Sequence, residues 1–362
     1  MNGYFDLKMA LAPVWQGDTI RNESLLFTPD PVTGETRPCR LLCAPETILR
    51  VCSADLRTEY LPDVDYRVEN GCIVRLPEGR LPFFSYDEYF LPQPAEISIA
   101  SVSCPGRFVR YDPSGAEVLR RQVCVSYTHR GPCPIQPPVS QLPLLPHTAQ
   151  TLREGRPLTV LFYGDSFMEG CDASGRTGLA PYLPPLDWLV TMALADAYRH
   201  PSIRRINTAV GGTTSRWGLE QAKDRLAAYA PELAVIRFGM NDSGAGIEPE
   251  EYIRNLRGIL AAGRQANAQM EFLLLASETP NPDCEGWTRF QRAYEQPLRE
   301  LVRETPGCGF VSIAAPFDAA SAAKGYPSLS ANLVNHPNDF MIRVYAASIV
   351  QALLDAGTKL VQ

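Results

Sequence analysis

Four short stretches of this sequence hold the residue types that acyl transfer requires. They are Gly164-Asp165-Ser166, Asn207 with Gly212 five residues on, Gly239-Met240-Asn241-Asp242, and Asn335-His336-Pro337-Asn338-Asp339. A serine hydroxyl is a weak nucleophile until a neighbouring base takes its proton, so Ser166 needs a histidine. The chain has only four. His129 and His147 flank a proline-rich stretch and His200 ends a predicted helix before Pro201, which leaves His336 as the candidate base. A tetrahedral oxyanion needs donors set in place beforehand. The Ser166 N–H, the Gly212 N–H and the Asn241 amide are the candidates.

Each stretch alone has a plainer reading: a common turn for Gly164-Asp165-Ser166, helix-entry flexibility for Gly211-Gly212, an Asx-turn for Asn241-Asp242, a surface loop for His336. Order and placement give them joint weight. Leu158–Tyr163, Ile203–Asn207, Leu233–Phe238, Glu271–Leu275 and Gly309–Ile313 read as short buried strands. Helical spacing follows over 186–198, 217–229, 249–266, 287–305 (broken or kinked at Pro297) and 339–354. Such alternation predicts a parallel sheet with helices on both faces, and ligands bind beyond the carboxyl ends of its strands. All four stretches should then open on one edge.

The first half reads differently. Val- and Ile-rich runs such as 47–52, 71–76, 97–102 and 121–127 are cut by turn residues, as in a small antiparallel sandwich. Asn70-Gly71 predicts a type I′ hairpin turn. Six prolines between Gly131 and Pro146 predict an extended connector. The expected organisation is a β-sandwich over 1–130, a linker over 131–150 and an α/β domain over 151–362.

In their order and content the four stretches resemble the SGNH (GDSL-type) hydrolases, over roughly residues 150–362. The resemblance implies a three-layer α/β/α flavodoxin-like fold and an ester hydrolase with no metal or organic cofactor. It implies Ser166 as nucleophile, His336 as base, and Ser166, Gly212 and Asn241 as the oxyanion hole. A β-rich region ahead of such a domain is similar to two-domain carbohydrate esterases with a jelly-roll domain, so short-chain deacetylation of carbohydrates is expected. A lipase or thioesterase for longer acyl chains, and a non-catalytic carbohydrate-binding scaffold, are the alternatives.

The family usually places an aspartate three residues before the histidine; here that residue is Leu333. Asp339 reads as the N-cap of the last helix, so either a backbone carbonyl or a carboxylate is left to hold the His336 ring. Asp165 is expected to organise the serine turn, Asn207 to support it, and Glu169 to be a loop carboxylate. Arg216 and Trp217 are candidate substrate contacts, with core packing an equal reading for Trp217. Phe84, Tyr86 and Tyr89 suit a core or interdomain role better than sugar stacking.

Composition sets the remaining bounds. A net charge of −6 argues against a nucleic-acid partner, and no apolar run is long enough to insert into a membrane. An ester of a small molecule or oligosaccharide is the expected partner. Ten cysteines without a C-x-x-C pair, behind an N-terminus lacking signal-peptide character, suggest free thiols in a reducing cytoplasm.

Overall fold

A computed structural model describes residues 6–97, 99–200, 202–356 and 360. Met1–Phe5, Ser98 and Pro201, each part of a reading above, lie outside the described residues. The first half forms strands β1 (Thr19–Leu25), β2 (Cys39–Arg40), β3 (Pro45–Ser53), β4 (Tyr66–Glu69), β5 (Cys72–Arg75), β6 (Phe90–Leu91), β7 (Ile99–Ala100), β8 (Phe108–Val109) and β9 (Val123–His129). They pair into three antiparallel three-stranded sheets, β1-β9-β3, β2-β5-β4 and β6-β8-β7. Asn70 (φ 49°) and Gly71 (φ 75°) turn the β4–β5 hairpin with both residues left-handed, as a type I′ turn demands.

The second half is a parallel sheet of β10 (Leu158–Gly164), β11 (Ile203–Asn207), β12 (Leu233–Arg237), β13 (Glu271–Ala276) and β14 (Cys308–Ser312). Its order is β11-β10-β12-β13-β14, the flavodoxin-like arrangement, whose switch point lies between β10 and β12. Apolar clusters cover both faces, one under the helices Leu186–Ala197 and Asp339–Ala352 and the other under Ser215–Arg225, Pro249–Ala266 and Glu295–Glu304. The fold class expected from the sequence is therefore present, a three-layer α/β/α unit preceded by a β region.

Two expectations change. The proline-rich stretch is not an extended connector throughout. Residues 142–144 form a 3-10 turn and Pro146–Glu154 an α-helix, with Pro146 in the first turn where its missing N–H costs nothing. Gln141 straps this stretch to the sheet, accepting from Phe310 N of edge strand β14 and donating its own N–H to Ala352 O. Pro297 likewise sits in the first turn of Glu295–Glu304 rather than kinking a longer helix. A helix over Ala314–Lys324, unread in the sequence, also packs here.

The two halves share one core. Leu25, Val51 and Tyr127 from the β region fall in the same buried cluster as Phe340 and Tyr345 of the last helix. Polar contacts cross the boundary as well. Lys324 Nζ donates to Glu23 Oε1 at 2.6 Å and to Ser24 O at 2.5 Å, while Tyr127 Oη donates to Glu23 Oε2 at 2.6 Å. Burial holds the Lys324 amine below its ordinary range despite Glu23. Removing one member of such a buried pair strands the other charge, which typically costs about 3–5 kcal/mol.

Candidate active site

Gly164 ends β10 because no larger residue fits. A Cβ there would lie 2.0 Å from Arg237 O on the paired strand and 2.7 Å from Met168 Cγ. Asp165 then caps the short helix Ser166–Glu169, accepting from Phe167 N at 3.2 Å. Its other partner is Arg237, whose Nη1 lies 2.5 Å from Asp165 Oδ1 and whose Nη2 reaches Glu278 at 2.9 Å. All three side chains are buried. Burial opposes the Arg237 charge, but the two carboxylates more than offset it, so the guanidinium stays charged. Asp165 is thus a brace under the serine turn.

As the first residue of its helix, Ser166 has an N–H with no intrahelical acceptor. Gly212 supplies a second such donor from a turn with φ 75°. A Cβ on Gly212 would meet nothing within 4 Å, so the backbone conformation rather than space favours glycine there. The Gly212 loop is tied down on both sides. Asn207 Nδ2 donates to Met168 O at 2.8 Å and its Oδ1 accepts from Ala209 N at 3.0 Å. Glu169 Oε2 accepts from Gly211 N at 2.6 Å, and its other oxygen pairs with Arg176. Glu169 is therefore a loop anchor.

Asn241 follows β12. Its Nδ2 donates one proton to Thr213 O at 3.0 Å, which orients the amide and leaves the second proton for a ligand. The neighbouring Asp242 joins the same two loops by accepting from Ser215 N at 2.9 Å and from Gly239 N at 3.0 Å. Burial pushes the Asp242 carboxyl up to about 6, against the pull of these donors.

His336 lies in the loop before the last helix. Its Nε2 is 2.8 Å from Ser166 Oγ and its Nδ1 is 2.7 Å from Asp172 Oδ2. Asn332 shapes this loop by accepting through Oδ1 from the N–H groups of Val334, Asn335 and His336. With the Asp172 carboxylate on Nδ1, the ring can present Nε2 to the serine and take its proton. This is the geometry of an activated serine nucleophile.

Asp172 went unread in the sequence; of the two holders left open there, a backbone carbonyl or a carboxylate, it is the carboxylate. Among the described residues the partner of Nδ1 is this carboxylate, six residues after the serine, and not a backbone carbonyl. Asp339 is not the N-cap either. Asn338 caps the helix by accepting from Met341 N, and Asp339 Oδ1 instead accepts from Ser174 N at 3.0 Å. The usual acid position, Leu333, is fully buried among Leu26, Phe84, Tyr89, Phe90, Cys104 and Val118 of the β region, at φ 69°. A carboxylate there would be desolvated and far from solvent relief. The only sequence signal for Asp172 was proximity to Ser166 within a Gly-Cys-Asp turn.

For Trp217 the core-packing reading is the one the structure shows, and Arg216 holds an exposed ion pair. Arg216 pairs with Glu251 at 2.6 Å, and Trp217 packs against the core cluster below its helix, its ring 6.3 Å from Tyr163. Phe84 and Tyr89 are core residues of the β region, edge-to-face at 6.1 Å, with Tyr86 packed against them.

All ten cysteines are free thiols, seven of them buried. Burial pushes the Cys171 thiol, beside Asp172, up to about 12, so it stays protonated and poorly nucleophilic. Among the described residues, no trio of His, Cys, Asp or Glu is grouped to hold a metal ion. None of the described helices is long and apolar enough to cross a membrane.

No curated protein sequence matches the chain. Solved structures with a similar fold include an acetylxylan esterase from Geobacillus stearothermophilus, 19% identical, with TM-score 0.47 over 57% of this chain and 96% of that one. Another is a two-domain esterase active on acetylated mannans, 18% identical, with TM-score 0.45 over 58% of this chain and 52% of that one. The model of the GDSL-like lipase/acylhydrolase family matches residues 162–341, a span that runs from Ser166 through Gly212 and Asn241 to His336. Residues 162–341 are thus a GDSL-like lipase/acylhydrolase domain, of a family of ester hydrolases.

Proposed function

We propose that the chain is a serine esterase that removes short acyl groups, acetyl foremost, from carbohydrate esters through a covalent acyl-enzyme. The observation that carries the reading is the line Asp172–His336–Ser166, with contacts of 2.7 and 2.8 Å, beside three unspent donors. Ser166 Oγ attacks the ester carbonyl as His336 Nε2 takes its proton. The oxyanion is received by the N–H groups of Ser166 and Gly212 and the free amide proton of Asn241. Collapse of the intermediate breaks the C–O bond, and His336 returns the proton to the departing alcohol. Water then repeats the sequence on the acyl-serine, releasing the carboxylic acid and restoring Ser166.

Polar groups around the nucleophile support the short-acyl reading. The Glu169–Arg176 pair stands beside Gly211, and the loop packs so closely that a Cβ on Gly211 would lie 3.6 Å from Ser166 Cβ. Such a rim suits a small acyl group and a hydroxylated alcohol better than a long alkyl chain. The carbohydrate preference rests on the order of a β region before the hydrolase unit, which is analogy.

The test is an acyl-chain series of p-nitrophenyl esters run beside a panel of acetylated mono- and oligosaccharides. Ser166→Ala should abolish turnover of p-nitrophenyl acetate. Retained turnover would sink the covalent mechanism, and a wide preference for octanoyl over acetyl esters would sink the short-acyl reading.

A further inference from the structure

One segment of the β region packs on Asp172 and on the loop that carries His336. Within residues 112–122, Gly115 packs so closely on Asp172 that a Cβ there would lie 3.0 Å from Asp172 Cβ and Cγ and 3.2 Å from Oδ1. The Asp112 N–H donates to Asn332 O at 3.2 Å, and Asn332 is the residue that gathers the Val334, Asn335 and His336 amides. Val118 shares a buried cluster with Leu333, and Gln122 Nε2 donates to Ser330 O at 2.8 Å. The segment is itself rigid. Asp112 Oδ2 accepts from Glu117 N at 2.8 Å and Val118 N at 3.0 Å, and its Oδ1 accepts from the Ser114 hydroxyl at 2.7 Å.

The contacts have a common consequence. Asp172 (φ 65°) and Leu333 (φ 69°) both hold left-handed backbone that non-glycine residues adopt at a cost. Such strain persists only where surroundings over-determine it, and in both cases those surroundings include this segment. A carboxylate that orients a histidine must be held to within a few tenths of an ångström.

From this juxtaposition we infer that residues 112–122 form a clamp that seats the Asp172 carboxylate on His336 Nδ1, so that the β region sets turnover rather than serving as a detachable substrate-binding module. Gly115 is its central positioning residue. The inference rests on the Ser166–His336–Asp172 reading above, and the experiment separates the two.

The full chain is assayed with p-nitrophenyl acetate, which carries no sugar for a binding module to grip. Gly115→Ala should lower kcat at least tenfold with KM within about twofold. In an Asp172→Asn background the same substitution should change kcat by less than about twofold, because a residue acting through Asp172 has nothing left to position. Gly115→Asn, whose side chain tolerates the left-handed backbone (φ 65°), repeats the test should the alanine variant fold poorly, and circular dichroism verifies folding. Unchanged kcat in both folded variants overturns the clamp. So does a loss confined to KM, or a loss fully retained in the Asp172→Asn background. If Asp172→Asn alone leaves kcat intact, the fault lies in the triad reading, and the clamp falls with it.

Discussion

Asp172→Asn is the sharpest perturbation this site offers. Asparagine keeps the shape of the side chain while removing its charge and exchanging one acceptor oxygen for an NH2 group, so the buried turn should keep its packing. What is lost is the attraction between the carboxylate and the imidazolium that forms as Ser166 gives up its proton. The atoms in contact are 2.7 Å apart, which puts the charge centres about 4 Å apart. At an effective dielectric constant of about 20 that interaction is worth about 4 kcal/mol, or a factor of about 10³ in rate. The ground state carries no such charge on the ring while it is neutral, so the loss should fall on kcat and leave KM within a few-fold. Steady-state hydrolysis of p-nitrophenyl acetate reads both, with Ser166→Ala as the floor. A kcat within threefold of wild type would refute the reasoning, because a carboxylate that can be neutralised without effect is not stabilising the imidazolium.

Other outcomes follow from the same geometry. Asn241→Ala should lower kcat by about 10²–10³, the usual worth of one oxyanion donor, with little change in KM. Arg237→Met strands the buried carboxylates of Asp165 and Glu278; urea denaturation should register a loss of about 3–5 kcal/mol. Asp339→Asn should leave turnover near wild type, since that residue serves Ser174 N and not His336. The same variant tests a pH effect. Burial raises the Asp339 carboxyl from 3.8 to about 6, so the folded chain holds that proton more tightly than the unfolded one. The resulting stabilisation is present below about pH 4 and lost as pH rises through about 6. Wild type should therefore lose on the order of 2–3 kcal/mol relative to Asp339→Asn between pH 4 and pH 7, measured by denaturant midpoints. Parallel pH dependence of the two proteins would contradict the burial argument.

The sequence by itself determined the parts of this protein whose causes are local. Strand and helix alternation after residue 150 reflects hydrophobic periodicity, and the Asn70-Gly71 hairpin reflects left-handed turn residues. Ser166, Gly212 and Asn241 were legible because each follows a strand of a parallel sheet, which brings strand ends to one edge, and His336 because it precedes the last helix in a chain with only four histidines. Positions whose partners lie far along the chain were not legible. Asp172 meets His336 across 164 residues, and nothing in a Gly-Cys-Asp turn announces that pairing. Leu333 read as a missing acid, yet it is a plug in the β region's core, a role visible only once Phe84, Tyr89 and Val118 surround it. The proline-rich stretch failed as a linker because proline is tolerated in a first helical turn, and Leu142, Leu145 and Leu152 had a core to enter. Local chemistry named the candidate nucleophile, base and oxyanion donors; long-range packing alone decided which carboxylate faces the histidine and which residues hold it there.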